Sequence, residues 1–280
     1  MSKILLFGST GWIGGKLKKI FEKNGFVVVP SSSRLDQYVP LIQEIEKTDA
    51  NIIVNAAGIT GRPNIDWCED NKIKTLEINT VGTSVLVSTC YRMNKYYVYI
   101  GTGCIYEYDG IHDSVGFTEE DPPNFQKSWY SHTKVMIENI TKSYPDTLTL
   151  RVRMPISDDL HPRSFITKIK SYKKVINVKN SVTVLHDLLP LIPDMIEKRL
   201  TGVFNFVNPG TISHHEILDL YRLYIDHEFT YEGCEIGEQQ IKAPRSNNHL
   251  CVDKLLKYYF VPNIQTSIHG VFQRMKEKVI

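Results

Sequence analysis

Short apolar runs rich in β-branched residues alternate with amphipathic stretches of helical length through the first half of this 280-residue chain. The first of those runs ends in a glycine-rich turn. These two observations predict an α/β fold built on a doubly wound parallel sheet, because strands joined by crossover helices run parallel and bury both faces. With 42% hydrophobic residues, the chain can build one large α/β unit or a main domain with a smaller lobe. A net charge of +2 from scattered basic residues leaves no nucleic-acid footprint. The run from Ile4 to Gly8 is too short for the core of a signal peptide, and no later run approaches a membrane span. The cysteines Cys68, Cys90, Cys104, Cys234 and Cys251 show neither pairing nor metal-ligand spacing, as expected of a reduced, cytoplasmic protein.

Taken in order, Lys3 to Phe7 reads as a buried strand that opens into Gly8-Ser9-Thr10-Gly11-Trp12-Ile13-Gly14-Gly15. In this spacing Gly8 allows the tight turn, Gly11 lets backbone approach a pyrophosphate, and Gly14 lets the following helix pack close to the strand. Thr10, Trp12 and Ile13 of the same turn are expected against the cofactor. The helix is predicted from about Trp12 to Asn24, with Gly25 where a C-cap belongs. The next strand, Phe26 to Val29, leads to Pro30-Ser31-Ser32-Ser33-Arg34, where an NAD site would carry a carboxylate for the ribose hydroxyls. Ser32 or Ser33 with Arg34 suits a 2′-phosphate instead and favours NADPH over NADH. Asp36 is the alternative source of a carboxylate.

A helix from about Leu41 to Lys47 precedes a strand at Asn51 to Val54, which runs into Asn55-Ala56-Ala57-Gly58. Small residues at that strand end let a cofactor lie against backbone. A long helix from about Thr75 to Asn94, a strand at Tyr96 to Ile100, a helix at Tyr130 to Tyr144 and a strand at Thr147 to Val152 complete a Rossmann-type sheet. Residues 1–155 are thus expected to form the NADP-binding domain. Residues 156–280 are expected to form mainly a smaller C-terminal substrate-binding lobe, with some segments returning to the main sheet. Its predicted elements are a helix at His186 to Lys198, a strand at Val203 to Phe206, and helices at Leu250 to Tyr258 and Ile268 to Lys276. Ser213-His214-His215-Glu216 is a capping-box pattern that starts a further helix reaching about Tyr224.

The chemistry-bearing stretch runs from Gly101 to Lys134. Tyr130 and Lys134 lie four residues apart, on one helix face. A neighbouring cation favours an ionised phenol, so the pair suits proton exchange with a substrate oxygen near neutral pH. An ordinary exposed helix pair is the alternative, and the dinucleotide half upstream favours the functional one. The strand before delivers Thr102 and Cys104 to the same carboxyl edge. From the residues alone, Cys104 fits a small buried hydrophobe, and Lys168 a solvated charge in a run with Lys170, Lys173 and Lys174. His132 sits off the Tyr130 face and reads as structural. His161, His186, His214 and His215 lack acidic partners at ligand spacing, so no metal is expected.

Gly8 to Gly14, Asn55 to Gly58, Thr102, and Tyr130 with Lys134 resemble the extended short-chain dehydrogenase/reductases. More narrowly, Asn55 to Glu69, Thr102 to Ile105, Arg151 to Ser157, Phe165 to Lys168 and Ala243 to Asn248 resemble the plant-type UDP-4-keto-6-deoxy-glucose 3,5-epimerase/4-reductases, which make UDP-L-rhamnose. The likeness covers essentially the whole chain and extends, more distantly, to the single-activity dTDP-4-dehydrorhamnose reductases. It implies that NADPH reduces the C4 ketone while Tyr130 donates the proton, Lys134 lowers the tyrosine's pKa and holds the ribose, and Thr102 hydrogen-bonds the ketone. Asn79 is implied as a residue that helps orient the lysine.

For the epimerase half, the resemblance assigns the carbon-bound protons at C3 and C5 to Cys104 and Lys168, with Lys168 also a candidate for the cation that turns the thiol into a base. Pro155 is expected to place backbone beside the nicotinamide. Arg245 is a candidate for the nucleotide diphosphate or else a loop charge, and Arg62 and Asn64 are candidate sugar contacts. The implied partners are the nucleotide-sugar substrate, UDP-4-keto-6-deoxy-glucose, and a UDP-glucose 4,6-dehydratase that supplies it; a homodimer stays open, as does UDP against dTDP. A reductase without epimerase activity is opposed by Cys104 and Lys168. A non-catalytic NADP-binding regulatory subunit is opposed by intact Thr102, Tyr130 and Lys134.

Overall fold

The computed structural model describes residues 2–238 and 241–279. In chain order the first half contains β1 (Lys3–Phe7), α1 (Trp12–Lys23), β2 (Val27–Pro30), α2 (Tyr38–Lys47), β3 (Ile52–Asn55), α3 (Asp66–Asp70), α4 (Lys72–Leu76), a π-helical stretch (Glu77–Gly82), α5 (Thr83–Arg92), β4 (Tyr96–Thr102), α6 (Trp129–Thr141) and β5 (Thr147–Val152). There follow α7 (Phe165–Ile169), β6 (Lys174–Ile176), β7 (Lys179–Asn180), α8 (Leu185–Leu188), a 3-10 turn (Leu189–Leu191), α9 (Ile192–Glu197), β8 (Gly202–Asn205), β9 (Ile212–Ser213), α10 (His214–Tyr224), β10 (Glu232–Cys234), α11 (Asp253–Leu256) and α12 (Ile264–Val279).

Six strands form one sheet in the order β2-β1-β3-β4-β5-β8, and every neighbouring pair is parallel. The predicted doubly wound sheet is therefore present. The chain reverses direction across the sheet between β1 and β3, and ligands of open α/β sheets bind outside the carboxyl ends of the strands at such a switch point. Apolar side chains cover both faces, with Leu17 and Phe21 of α1 and Ile192 of α9 on one side and Leu41, Ile45, Leu86 and Ile137 on the other. Burial on both faces explains why the strands read as continuous apolar runs rather than alternating ones. A separate apolar cluster, including Ile166, Ile217, Ile268 and Phe272, holds α7, α10 and α12 together beside the carboxyl edge.

Several predicted elements are corrected, each for a local reason. Helix α2 starts at Tyr38 rather than Leu41, because Pro40 falls in the first turn, where its missing N–H leaves no bond unmade. The long helix expected from Thr75 begins at Lys72 and is interrupted by the π-helical stretch. At its end Gly82 passes so close to the chain that a Cβ there would lie 2.0 Å from the Leu35 carbonyl oxygen. The helix expected from His186 to Lys198 is broken into three pieces by Pro190 and Pro193, which cannot donate to the helical ladder. The helix expected from Leu250 shrinks to Asp253–Leu256, because His249 and Cys251 spend their backbone groups on Phe117. The final helix is longer than expected at both ends, whereas the Ser213–Glu216 capping box forms with both reciprocal bonds.

Candidate active site

A cleft of about 1400 Å³ runs along the carboxyl edge from the glycine turn to α7. Single small-molecule pockets occupy roughly 300–1,000 Å³, so there is room for a dinucleotide and a second ligand. At its floor Gly8 has φ +76, and a Cβ there would lie 2.6 Å from the Ala57 nitrogen; only glycine meets both demands. Gly11 precedes α1 without a side-chain cap, and no acidic residue occupies the first turn. Those uncapped N–H groups face the cleft and suit a pyrophosphate. Thr10, Trp12, Ile13, Ala56, Ala57, Gly58 and Pro155 line the same wall. Trp12 donates to Asp159 at 2.9 Å and stacks on His161 at 5.0 Å, tying the loop after β5 across the glycine turn. Just before Pro155, Met154 adopts φ +38, a left-handed conformation that costs a bulky residue of the order of 1–3 kcal/mol and marks a bend the surroundings enforce.

Gly14, Asn55 and Asn79 lie behind this wall rather than on it, Gly14 in the packing role that its spacing predicts. Gly14 packs on the turn that follows β1, where a Cβ would come 2.0 Å from the Gly8 carbonyl oxygen. Asn55 is fully buried; it accepts from the Ala57 nitrogen at 2.9 Å and donates to the Tyr97 hydroxyl at 3.0 Å. Asn79, also fully buried, sits in the π-helical stretch and clamps Ile59 by both its backbone groups at 2.8 and 2.9 Å. The two asparagine side chains brace the backbone that forms the wall.

At the ribose end Ser33, Arg34 and Asp36 line the cleft. Arg34 contacts Asp36 at 3.2 Å, so both alternatives raised by the sequence stand side by side. Missed altogether was Glu44 of α2. It accepts from the Ser31 hydroxyl at 2.7 Å and from the Ser32 and Ser33 backbone nitrogens at 2.8 and 3.1 Å. Burial works against this carboxylate, but hydrogen bonds from Ser31, Ser32 and Ser33 hold it below the usual range.

Thr102, Tyr130 and Lys134 converge where β4 and α6 meet, and all three face the cleft. Expectation and structure part over their electrostatics. Burial pushes the Tyr130 phenol up to about 12, outweighing Lys134 and a hydrogen bond with Thr102, which both act to lower it. Burial thus favours the neutral phenol over one poised to ionise near neutral pH. Lys134 is driven down by its own burial, against Tyr130, and its ammonium donates to Tyr99 at 2.8 Å. Tyr99, buried on β4, was not anticipated.

Cys104 is half-buried two residues beyond Thr102, whose hydroxyl accepts from the Cys104 nitrogen at 3.1 Å. Ser131 donates to the Cys104 carbonyl at 2.7 Å, which fixes the turn carrying the thiol. The cation in contact with the sulfur is Arg153, at 3.3 Å, which the sequence did not single out; Lys168, the candidate for that role, interacts with Cys104 by charge. Lys168, on α7, lines the cleft; burial and then Arg163 lower its pKa, and Cys104 opposes them. Arg62, Asn64 and the unanticipated Arg163 complete this end. Arg245 also faces the cleft, but its guanidinium pairs with Asp66 at 2.8 Å, so part of its charge is already met. His132 is bound to Gln126 at 2.9 Å, away from the cleft. Among the described residues no group of His, Cys, Asp and Glu could hold a metal ion, and no helix is long and apolar enough to cross a membrane.

Comparison with known proteins adds to this geometry. The family model of the RmlD substrate binding domain matches residues 2–248. The bifunctional dTDP-4-dehydrorhamnose 3,5-epimerase/dTDP-4-dehydrorhamnose reductase of Arabidopsis thaliana is 45% identical, over 94% of this chain and 94% of that protein. A trifunctional UDP-glucose 4,6-dehydratase/UDP-4-keto-6-deoxy-D-glucose 3,5-epimerase/UDP-4-keto-L-rhamnose-reductase of the same plant is 47% identical over 92% of this chain, which spans 39% of that protein. The crystal structure of the L780 UDP-rhamnose synthase from Acanthamoeba polyphaga mimivirus superposes with a TM-score of 0.93 at 39% identity, covering 98% of this chain and 99% of that one.

Proposed function

The chain belongs to the RmlD substrate binding domain family, and on that premise we propose that it is a bifunctional 3,5-epimerase and NADPH-dependent 4-reductase that converts UDP-4-keto-6-deoxy-glucose to UDP-L-rhamnose. One observation carries this most: Thr102, Tyr130 and Lys134 share a single cleft with Cys104 and Lys168. A reductase without epimerase activity would leave the last two without a task.

Both activities use one polarised oxygen. C3 and C5 of the sugar flank the C4 ketone, so loss of a proton from either gives an enolate whose oxygen Thr102 and Tyr130 hydrogen-bond. Cys104 takes the carbon-bound proton and Lys168 returns one to the opposite face; its depressed pKa makes it the readier donor. NADPH, when bound, supplies a hydride to C4. Tyr130 then gives its proton to the C4 oxygen, and Lys134 and Tyr99 hold the charge and geometry behind it. The α1 N-terminus, the Gly8 turn and the Ala56 to Gly58 backbone would hold the pyrophosphate end, and Arg34 would meet the 2′-phosphate.

Arg62, Arg163 and Arg245 face the nucleotide diphosphate and sugar from the other side. The supplying reaction is a 4,6-dehydration of UDP-glucose; that this activity shares one polypeptide with the matching region in the trifunctional relative supports a dehydratase as the functional partner of this chain, and the same reading has it work in the cytoplasm. The reading is tested by incubating the protein with NADPH and UDP-4-keto-6-deoxy-glucose and identifying the sugar. UDP-L-rhamnose is expected; a D-configured 6-deoxyhexose would leave the reductase and remove the epimerase.

A further inference from the structure

Two arginines sit two residues apart at the end of β5, both fully buried, and their partners differ. Arg151 has a carboxylate: Glu138 meets it at 2.6 and 3.1 Å. Arg153 has none. Its Nη1 donates to the Cys104 sulfur at 3.3 Å and the Ser246 hydroxyl at 3.1 Å, and its Nη2 donates to the Ser246 carbonyl at 2.8 Å and to the Asn180 side-chain oxygen. Its Nε has no partner. An ion buried without a counter-charge is costly, and only one of these partners, the thiol, can become an anion.

Other groups facing the pair do not supply that charge. Tyr130 faces Cys104 from α6 as a neutral phenol, its pKa at about 12 through burial. Tyr108 faces Arg153 and is also pushed up by burial. His214, on α10, is pushed down to about 4 by burial and stays neutral. Lys168 faces Cys104 from α7. At neutral pH the charged groups around the sulfur are therefore two cations, of which Arg153 makes the contact.

We propose that Arg153 is a positioning residue of the epimerase, holding Cys104 as a thiolate and aiming its sulfur into the cleft. The backbone of Arg153 is itself pinned by Thr183, which accepts from its nitrogen at 2.9 Å and donates to its carbonyl at 2.8 Å. In the step it serves, the C–H bond at C3 or C5 breaks, an S–H bond forms, and the electron pair moves to the ketone oxygen. Lys168 gives a proton to the carbon from the other face and is left neutral; solvent then carries the thiol proton back to it. Arg153 keeps its proton throughout, and the thiolate it favours is restored. This inference rests on Cys104 being the base, but its test needs no sugar.

The test is site-resolved alkylation of Cys104 by iodoacetamide in the intact chain, followed by mass spectrometry. The rate in the folded protein is divided by that in the urea-unfolded protein, so reagent reactivity cancels and accessibility contributes a constant. That ratio should rise on the order of tenfold between about pH 9 and about pH 6.5. Arg153→Gln should abolish the rise and Arg153→Lys should retain most of it. A flat ratio in the unaltered protein overturns the proposal even if Arg153→Gln does not fold. So does a rise that survives Arg153→Gln but disappears in Lys168→Gln. Product analysis with the keto sugar, run separately, tests the epimerase reading itself.

Discussion

Lys134 donates to the Tyr99 hydroxyl at 2.8 Å, so the ammonium beside the Tyr130 ring is anchored from the sheet behind it. Tyr99→Phe removes that acceptor and leaves a buried ammonium short of a partner, at a cost of about 1–3 kcal/mol. The denaturation midpoint should fall accordingly, and single-turnover hydride transfer should slow roughly tenfold as the lysine loses its orientation. An unchanged midpoint and rate would mean that Lys134 is held without Tyr99.

How far the sequence carries is visible in these same residues. The glycine turn, the Tyr130–Lys134 pair and the Ser213–Glu216 capping box were legible because each is local, with its partners inside one turn of helix or one tight loop. Contacts that set the electrostatics were not. Arg153 and Cys104 are 49 residues apart, Arg245 and Asp66 are 179 apart, and nothing in either neighbourhood announces the other. The same holds for burial. The spacing of Tyr130 and Lys134 suggested a phenol with a lowered pKa, whereas the packing around α6 desolvates it and decides the opposite sign. Glu44 was hidden for another reason: it reads as one more polar residue on the outer face of α2 until the chain folds Ser31 to Ser33 over it.

Tyr130→Phe keeps the ring and removes the proton that the proposed mechanism gives to the ketone oxygen. Reduction should fall by a factor on the order of 10² or more, while NADPH still binds. Stopped-flow reduction with fluorescence titration of the cofactor separates the two effects, and an active phenylalanine variant would assign the proton to water or Thr102.

At the ribose, Arg34 and Asp36 touch at 3.2 Å and carry opposite preferences, one for a 2′-phosphate and the other for free hydroxyls. NADPH should bind more tightly than NADH. Arg34→Ala, by leaving Asp36 alone, should erode that difference, and Asp36→Ala should widen it. Equal dissociation constants for the two cofactors in the unaltered protein, measured by titration, would sink this assignment.

Glu138 is the counter-ion of Arg151, with both side chains buried. Glu138→Ala strands a buried guanidinium directly beneath the strand end that carries the site, and such losses cost about 3–5 kcal/mol. Chemical denaturation should register a drop of that size; a change under about 1 kcal/mol would mean that Asn205 and the Thr118 and Glu119 carbonyls, which also accept from Arg151, suffice to hold it.

Separating the two activities needs no hydride at all, because proton exchange at C3 and C5 requires enolisation alone. In heavy water, with NADP⁺ or no nicotinamide, the enzyme should place deuterium at both carbons of the 4-keto sugar and reduce nothing. Cys104→Ala should lose the exchange yet still reduce a substrate supplied already epimerised, since Thr102, Tyr130 and Lys134 are intact. Lys168→Ala should lose it at one carbon or both. The pH profile carries the sign of the lysine's shift. A general acid works while protonated, and burial lowers the Lys168 pKa below the ordinary lysine value, so exchange should decline with rising pH before about 10.4, where an unperturbed lysine titrates. Lys168→Arg, which keeps its proton across that range, should remove the alkaline decline from whatever exchange it retains. If Cys104→Ala exchanges both protons at the normal rate, the thiol is a packing residue and the base is another side chain facing the sugar. If exchange instead holds level past that pH in the unaltered enzyme, Lys168 is not the acid.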